Sequence, residues 1–440
     1  MPNDQRVRFM VVDPGHFHAG LVLKEMYGGD DETTGRVDDE VFVYAPDGPE
    51  LDDFLALVER YNQRKVNPTH WNLQVYRGDD FFKRMIRDHR GNVLVLAGNN
   101  QKKTEYILEA VRHGLNVYSD KPMAINGDDF QKLREAFKIA DEKGLLLYDI
   151  MTERFEITSI LQKELMHMPL IFGSLLTGSE DEPAVIKESV HNFFKYVSGK
   201  RLQRPPWFFD VEQEGEGLVD VTTHLVDLVQ WACFPGEIID TVRDLKLLDA
   251  RHWPTLMTPQ QFSEVTGVAV YPDYLKKEVN DQGNLEVYSN GVVSYQLKGI
   301  HVRVQVEWKY RAPEGGGDTH FSVVRGSLAD LEIRQGAPQG FRPELYLIPK
   351  KPSPDYLRQL DQEFKKVAEK YPGITLEKSE GKFRVNIPDH YRNGHEAHFG
   401  QVTQNFLKYL HEGHLPGWEV PDMLAKYYLT TQALQRAHQH

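Results

Sequence analysis

The sequence predicts an α/β protein in two parts: a doubly wound parallel sheet over residues 1–150, then an α+β part over 151–440 built on a large, mostly antiparallel open sheet. Three observations carry this. Short apolar runs bounded by glycine alternate with amphipathic helical spacing through the first third of the chain, the pattern of βα units. Beyond Met151 that alternation stops and long strand-like segments with period-two polarity take over. A sheet of the second kind can bury one face and leave the other open.

The elements follow in order. VRFMVVD, PGHFHAG and LVLKEMYGG read as strand, glycine turn and helix. VFVYAP is the second strand, reached through a polar insertion near 28–40. LDDFLALVERYNQR is helical, a short strand near LQVY follows, and a helix is expected from about Asp79 to His89. NVLVLAG, the helix TEYILEAVRHG, NVYSDKPMA, a helix at 127–143 and LLLYDIM complete the first part. The second opens with a helix and a strand, passes a polar stretch with PPW, and reaches a strong helix at about 218–233. LEVYSNGVVSYQLKG holds Ser-Asn-Gly between two strand patterns, which predicts a hairpin. HVRVQVEWKY, THFSVVRG and LADLEIRQG extend the sheet. Residues 338–395 read as an insertion, with further insertions near 178–210 and 250–283. Helices at about 396–411 and 421–438 close the chain, and the last is expected to pack back on the first part.

Composition excludes several classes of function. With 40% hydrophobic and 27% charged residues the chain is globular, and its net charge of −13 repels a nucleic-acid backbone. Cys233 is the sole cysteine, so neither an intrachain disulfide nor a thiolate zinc cluster is available. It lies in the apolar helical stretch LVDLVQWACF and reads as a small buried hydrophobe. No apolar run reaches the roughly 18 residues a membrane helix needs, and MPNDQR enters a strand directly. A cytoplasmic location with no membrane partner is expected.

Five places could carry chemistry. The turn after the first strand is where a Rossmann-type domain holds a dinucleotide pyrophosphate. In register with GxGxxG it reads Asp13, Pro14, Gly15, His16, Phe17, His18, so only the middle glycine remains. On this turn alone, cofactor binding and an ordinary strand-to-helix connection are both open. His16 and His18 are two apart, with no nearby carboxylate spacing to complete a metal set, so no metal is expected and they read as cleft-lining or helix-start residues. Asp47 follows the second strand among Glu50, Asp52 and Asp53, an acidic neighbourhood that favours NAD over NADP if Asp47 reads the ribose. It reads equally as a turn former. In YSDKPMA, Pro122 ends the strand so that Lys121, preceded by Asp120, projects at its carboxyl end. There an ammonium can stabilise a developing alkoxide, although taken alone it reads as a solvated lysine. GLVDVTTHLVDLVQW sets Asp220 and His224 four apart on one helix face, carboxylate beside imidazole, which is either an oriented base or a surface salt bridge. Asp227 is available as a second orienting acid. Trp207, in RPPWFFD, reads as a sugar platform or a buried anchor.

The combination of a parallel-sheet first part, a DKP strand end, a DxxxHxxD helix and a large antiparallel sheet resembles the Gfo/Idh/MocA oxidoreductases over nearly the whole chain. The resemblance implies that Lys121 contacts cofactor and substrate, and that Asp220 and His224 bind and deprotonate a sugar or cyclitol hydroxyl while hydride moves to nicotinamide. It aligns Gly98, Asn99 and Asn100 with the family's Thr-Pro-Asn turn, Arg154 and Phe155 with its Arg-Phe, and RGSLADLEI with its late glycine-strand segment. Departures are the two replaced fingerprint glycines, the Gly-Asn-Asn turn, and Lys103 where a histidine is usual. The start DPGHFHAG and the long insertions are similar to a divergent branch with a distinct oxidoreductase C-terminal region.

The resemblance implies an NAD-dependent dehydrogenase of a sugar, cyclitol or glycoside, and a homo-dimer or homo-tetramer through the C-terminal sheet. Two other readings stay open: redox-neutral glycoside cleavage by the same site, and a non-catalytic binding homologue. Substrate choice is expected to reside in the insertions.

Overall fold

The computed structural model describes residues 6–28, 36–197 and 200–439. Most of the expected insertion at 28–40 falls on 29–35 and lies outside them. The chain divides into two compact units, Met1–Thr152 with Trp207–Gly215 and His395–Thr431, and Glu153–Pro206 with Glu216–Gly394 and Gln432–His440.

In the first unit, β1 (Phe9–Val12), β2 (Glu40–Ala45), β3 (Asn72–Arg77), β4 (Val93–Leu96), β5 (Asn116–Asp120) and β6 (Leu147–Ile150) form one parallel sheet in the order β3-β2-β1-β4-β5-β6. The runs FMVV and VLVL are buried along their whole length, as strands covered on both faces must be. The connecting helices are α1 (His18–Val22), α2 (Pro49–Gln63), α3 (Phe81–Asp88), α4 (Lys103–Arg112) and α5 (Gly127–Lys143). Local chemistry sets the limits of α5. The Asn126 side chain accepts the Asp129 amide at 2.9 Å, and Gly144 ends the helix at φ 65°.

Helix α1 is shorter than LVLKEMYGG predicts. The carbonyls of Val22, Leu23 and Lys24 are taken by Tyr27 Oη, Trp71 Nε1 and Arg64 Nη2 at 2.6–2.7 Å, so side chains replace the amides that would have continued it.

The second unit contains α6 (Ile157–Met166), β7 (Val185–Phe194), the two-stranded ribbon β8 (Tyr196–Val197) and β9 (Lys200–Arg201), α7 (Thr222–Cys233), β10 (Leu245–Met257), α8 (Pro259–Thr266), β11 (Leu285–Leu297), β12 (Ile300–Arg311), β13 (Thr319–Arg325), β14 (Ala329–Gln335), β15 (Glu344–Pro349), α9 (Pro354–Lys370), β16 (Thr375–Ser379) and β17 (Lys382–Asn386). Nine of these strands form one sheet in the order β10-β11-β12-β7-β13-β14-β15-β17-β16. It is antiparallel except where β12 runs parallel to β7. Val293, Tyr295, Leu297, Val302, Val304 and Val306 bury one face in strict alternation. Segment 338–395 contributes β15, β16 and β17 to this same sheet, with α9 between them.

The expected hairpin at Ser289-Asn290-Gly291 is absent, because β11 runs straight through it. Asn290 donates to Trp253 O and Thr255 Oγ1 on β10 at 2.9 Å each, and its Oδ1 accepts the Trp308 amide of β12 at 2.6 Å. The β10 register shifts between Trp253 and Thr255, so this polar residue fills a bulge instead of making a turn. Gly291 is bare because the Leu218 side chain lies where a Cβ would stand.

The last two helices are α10 (His395–Glu412) and α11 (Glu419–Ala437). Within the first unit Phe406 of α10 stacks on Tyr118 at 4.6 Å, and Lys426 of α11 pairs with Asp149 at 2.7 Å, both fully buried. Among the described residues no helix is long and apolar enough to cross a membrane.

Candidate active site

In the parallel unit the candidate residues collect at the carboxyl ends of the strands. Strand order reverses between β1 and β4, the crevice where open α/β sheets bind ligands. The turns leaving those two strands meet there. A Cβ on Gly98 would strike the Asp13 carbonyl oxygen and come within 2.9 Å of the Gly15 amide. Two fingerprint glycines are gone, but Gly98 supplies the closeness from the other strand. Gly20 supplies the packing expected of the third, since a Cβ there would lie 2.5 Å from Leu57 of α2. The amide of Gly15 donates to Asp13 O within its own turn (2.8 Å) and that of His16 to Ala97 O of the turn after β4 (3.2 Å).

Asp13 ends β1 at φ 47°, a left-handed conformation that an Asp or Asn tolerates better than most residues. Burial pushes its carboxyl up to about 6, with Glu50 adding to the effect and Lys102 opposing it.

His16 and His18 converge instead of diverging. His16 precedes α1, so helical geometry does not separate them, and the rings meet edge-on at 4.0 Å. His18 Nδ1 lies 2.7 Å from Asp120 Oδ2, and His16 Nδ1 lies 3.9 Å from the same oxygen. The carboxylate that sequence spacing could not supply comes from β5. Phe17 packs against both rings, and Phe399 and His395 of α10 against His18. Lys103 is buried and donates to Asp120 O at 3.2 Å, so Asp120 joins two sequence-distant groups directly before the half-buried Lys121. The roles of His395, Phe399 and Lys103 here had no local signal beyond the unusual lysine.

Asn99 and Asn100 hold the segment 207–215 in this unit. Asn99 Nδ2 donates to Gln213 Oε1 at 2.7 Å, and Asn100 donates to Glu214 through backbone oxygen and carboxylate at 2.8 and 3.1 Å. Asn100 Oδ1 is buried without a partner among the described residues. Trp207, on the same segment, is buried with a ring carbon 3.3 Å from the Cβ position of Gly15, so it lies on the glycine turn itself. Asp47 stands on the surface, its carboxylate 2.7 Å from Arg77, which also grips Asp52 at 2.8 Å.

In the antiparallel unit, regular helix begins at Thr222, and Asp220 lies in the preceding turn. Thr223 N donates to Asp220 O and His224 N to Val221 O, so helical hydrogen bonding reaches back into this turn. Gly217 makes this turn possible, because a Cβ there would collide with the Ser289 carbonyl of β11. Asp220 is buried and His224 half-buried. Asp227 is the partner of Arg154, in two bonds of 2.6 and 2.7 Å from Nε and Nη2. Arg154, which the resemblance aligns with the family's Arg-Phe, is thus tied to α7 by a buried bidentate pair. Cys233 is buried and its thiol pushed up to about 12 by burial, which leaves it unreactive.

The family described as "Putative oxidoreductase C terminal domain" matches residues 161–438. Among solved structures, a "putative oxidoreductase" from Parabacteroides merdae ATCC 43184 is 52% identical, with 100% of this chain and 98% of that one covered and a TM-score of 0.95. Levoglucosan dehydrogenase in complex with NADH and levoglucosan shares 14% identity over 99% of this chain and 98% of its own, with a TM-score of 0.63. A "putative oxidoreductase" from Thermotoga maritima shares 14% over 98% of each chain at 0.62. At 14% the likeness is one of fold. No curated protein matches the chain.

Proposed function

Because this chain belongs to the oxidoreductase family defined by that C-terminal domain, and has the Gfo/Idh/MocA fold its motifs predict, we propose that it is a nicotinamide-dependent dehydrogenase acting on a secondary hydroxyl of a sugar or polyol. The observation that carries this reading is the reversal of strand order at β1 and β4, with the Gly15 and Gly98 turns pressed together at it and Lys121 directly after β5. The NADH and levoglucosan held by the structural neighbour support the same class of cofactor and substrate.

The residues present fit a dinucleotide. The Gly15–Gly98 contact leaves backbone alone at the switch point, and the orphaned Asn100 Oδ1 is a buried acceptor for a ligand donor. In this reading Asp13, Gly15, His16, Phe17 and His18 with Gly98, Asn99, Asn100 and Asp120 hold the cofactor, and Asp47 reads the ribose. Arg77 already serves two carboxylates and is not available to a 2′-phosphate, which favours NAD. When bound, the nicotinamide supplies the hydride acceptor.

The chain's own residues supply the rest. His224 takes the hydroxyl proton, Asp220 orients the imidazole and supports its charge, and Lys121 stabilises the oxygen as negative charge develops. Arg154 positions the helix that carries His224 through Asp227. Trp207 keeps water off the glycine turn.

The test is turnover with NAD⁺ across a panel of sugars, polyols and glycosides, beside thermal stabilisation by NAD⁺ alone. Lys121→Ala and His224→Ala should each lower kcat by about 10²–10⁴ while the cofactor still raises the melting temperature. Near-full turnover in both variants would overturn the assignment. Glycoside cleavage with nicotinamide retained and no net NADH would move it to the redox-neutral reading.

A further inference from the structure

A second cluster of ionisable groups lies wholly within the antiparallel unit and takes no part in the proposed reaction. Glu216 sits in the turn before α7 and is only 6% exposed. Its two carboxylate oxygens each meet an imidazole: Oε2 lies 2.6 Å from His252 Nδ1 on β10, and Oε1 lies 2.8 Å from His438 Nε2 beyond the end of α11. The two rings stand edge to face at 4.8 Å, and the His252 ring rests on Tyr288 at 4.8 Å. One donor atom from each of the three residues lies within 4.8 Å of the other two.

A buried carboxylate needs a compensating charge. Among the described residues no lysine or arginine pairs with Glu216, and its only ionisable partners are the two histidines. Neutral imidazoles offer N–H bonds but no charge. Both rings turn a nitrogen toward the same carboxylate, the arrangement in which one cation can replace two protons. Imidazole and carboxylate donors at about 2.0–2.2 Å suit zinc and its first-row neighbours. Donors around such an ion stand about 3.3–3.6 Å apart, so the present contacts of 2.6 and 2.8 Å must open by roughly 0.5–1 Å as the ion enters between the carboxylate and the two rings.

We propose that Glu216, His252 and His438 form a binding site for one divalent transition-metal ion of the zinc type, with water completing the coordination. The three ligands come from a turn, a strand and the last residues described, so the ion cross-links segments far apart in the chain. The consequence reaches Asp220, because the Glu216 carbonyl accepts the amides of Val219 and Asp220 at 2.9 and 3.0 Å. Fixing Glu216 therefore fixes the turn that presents Asp220. The site does not depend on the dehydrogenase reading, since its ligands are distinct from Lys121, Asp220 and His224.

The experiment uses untagged full-length protein, stripped with a chelator and titrated with Zn²⁺ alone by calorimetry, then with Co²⁺ by visible absorption. Wild type should take up one equivalent that His438→Gln and Glu216→Gln lose or bind at least about tenfold more weakly, since even outer-shell changes cost that much. Zn²⁺ should raise the wild-type melting temperature, and the variants should lack that rise. His438 is 57% exposed, so His438→Gln keeps the test decisive even if Glu216→Gln fails to fold. No Zn²⁺ uptake by wild type, or uptake and stabilisation unchanged in His438→Gln, would overturn the proposal.

Discussion

The two units assemble their candidate residues by different means. In the parallel unit the backbone does it: every strand delivers its last residue to the same edge, so Asp13, Asp47, Gly98 and Asp120 need only stand at strand ends. In the antiparallel unit no strand end is involved. Asp220 and His224 lie where a turn becomes a helix, and side chains hold that helix, above all Arg154 on Asp227. A site built from backbone should be hurt most by an unwanted Cβ, and a site built from side chains by the loss of one partner.

Four variants separate these cases. Asp227→Ala takes the bidentate partner from a buried guanidinium and should cost about 3–5 kcal/mol of stability, read by urea unfolding. Arg154→Met with Asp227→Leu should recover most of that loss, and a single variant costing under about 1 kcal/mol would break the contrast. Gly98→Ala should cost about 1–3 kcal/mol and weaken NAD⁺ binding, because the new methyl meets backbone that cannot swing away. Unchanged affinity would show that the closeness of the two turns does not matter to the ligand. Asp13→Asn should do the reverse and stabilise. The native carboxyl titrates near 6 and the unfolded one near 3.8, so the folded state prefers the proton and pays a penalty that is absent below about pH 4 and full above about pH 6. The displacement sets a ceiling of roughly 3 kcal/mol, and solvent at the half-buried group brings the expected gain at pH 8 to about 1 kcal/mol. Denaturation midpoints of the two proteins should converge at pH 4. A difference that does not depend on pH would assign the effect to backbone conformation.

The same contrast explains what the sequence made legible. Fully buried runs such as FMVV and VLVL, separated by amphipathic helices, admit little besides a parallel sheet, and the strand ends then follow from it. The Asp220–His224 spacing was equally visible. What stayed hidden were long-range pairings: Asp120 reaching His18 across 102 residues, and Asn100 holding Glu214 across 114. Local periodicity carries no information about either. The reading of α1 as a longer helix missed the carbonyls claimed by Tyr27, Trp71 and Arg64 for the same reason. Ser289-Asn290-Gly291 misled more directly, because residues that favour turns also suit a bulge packed against a neighbouring loop.

Asn290 has a consequence for folding. Two-residue periodicity lets β11 slide by one position against β10 or β12, and each slip would turn its apolar seam toward solvent. A side-chain amide with two partners on β10 and one on β12 can satisfy all three only in one alignment. It acts as a notch in the ratchet of strand pairing, through which a residue that breaks the local pattern selects the correct global one.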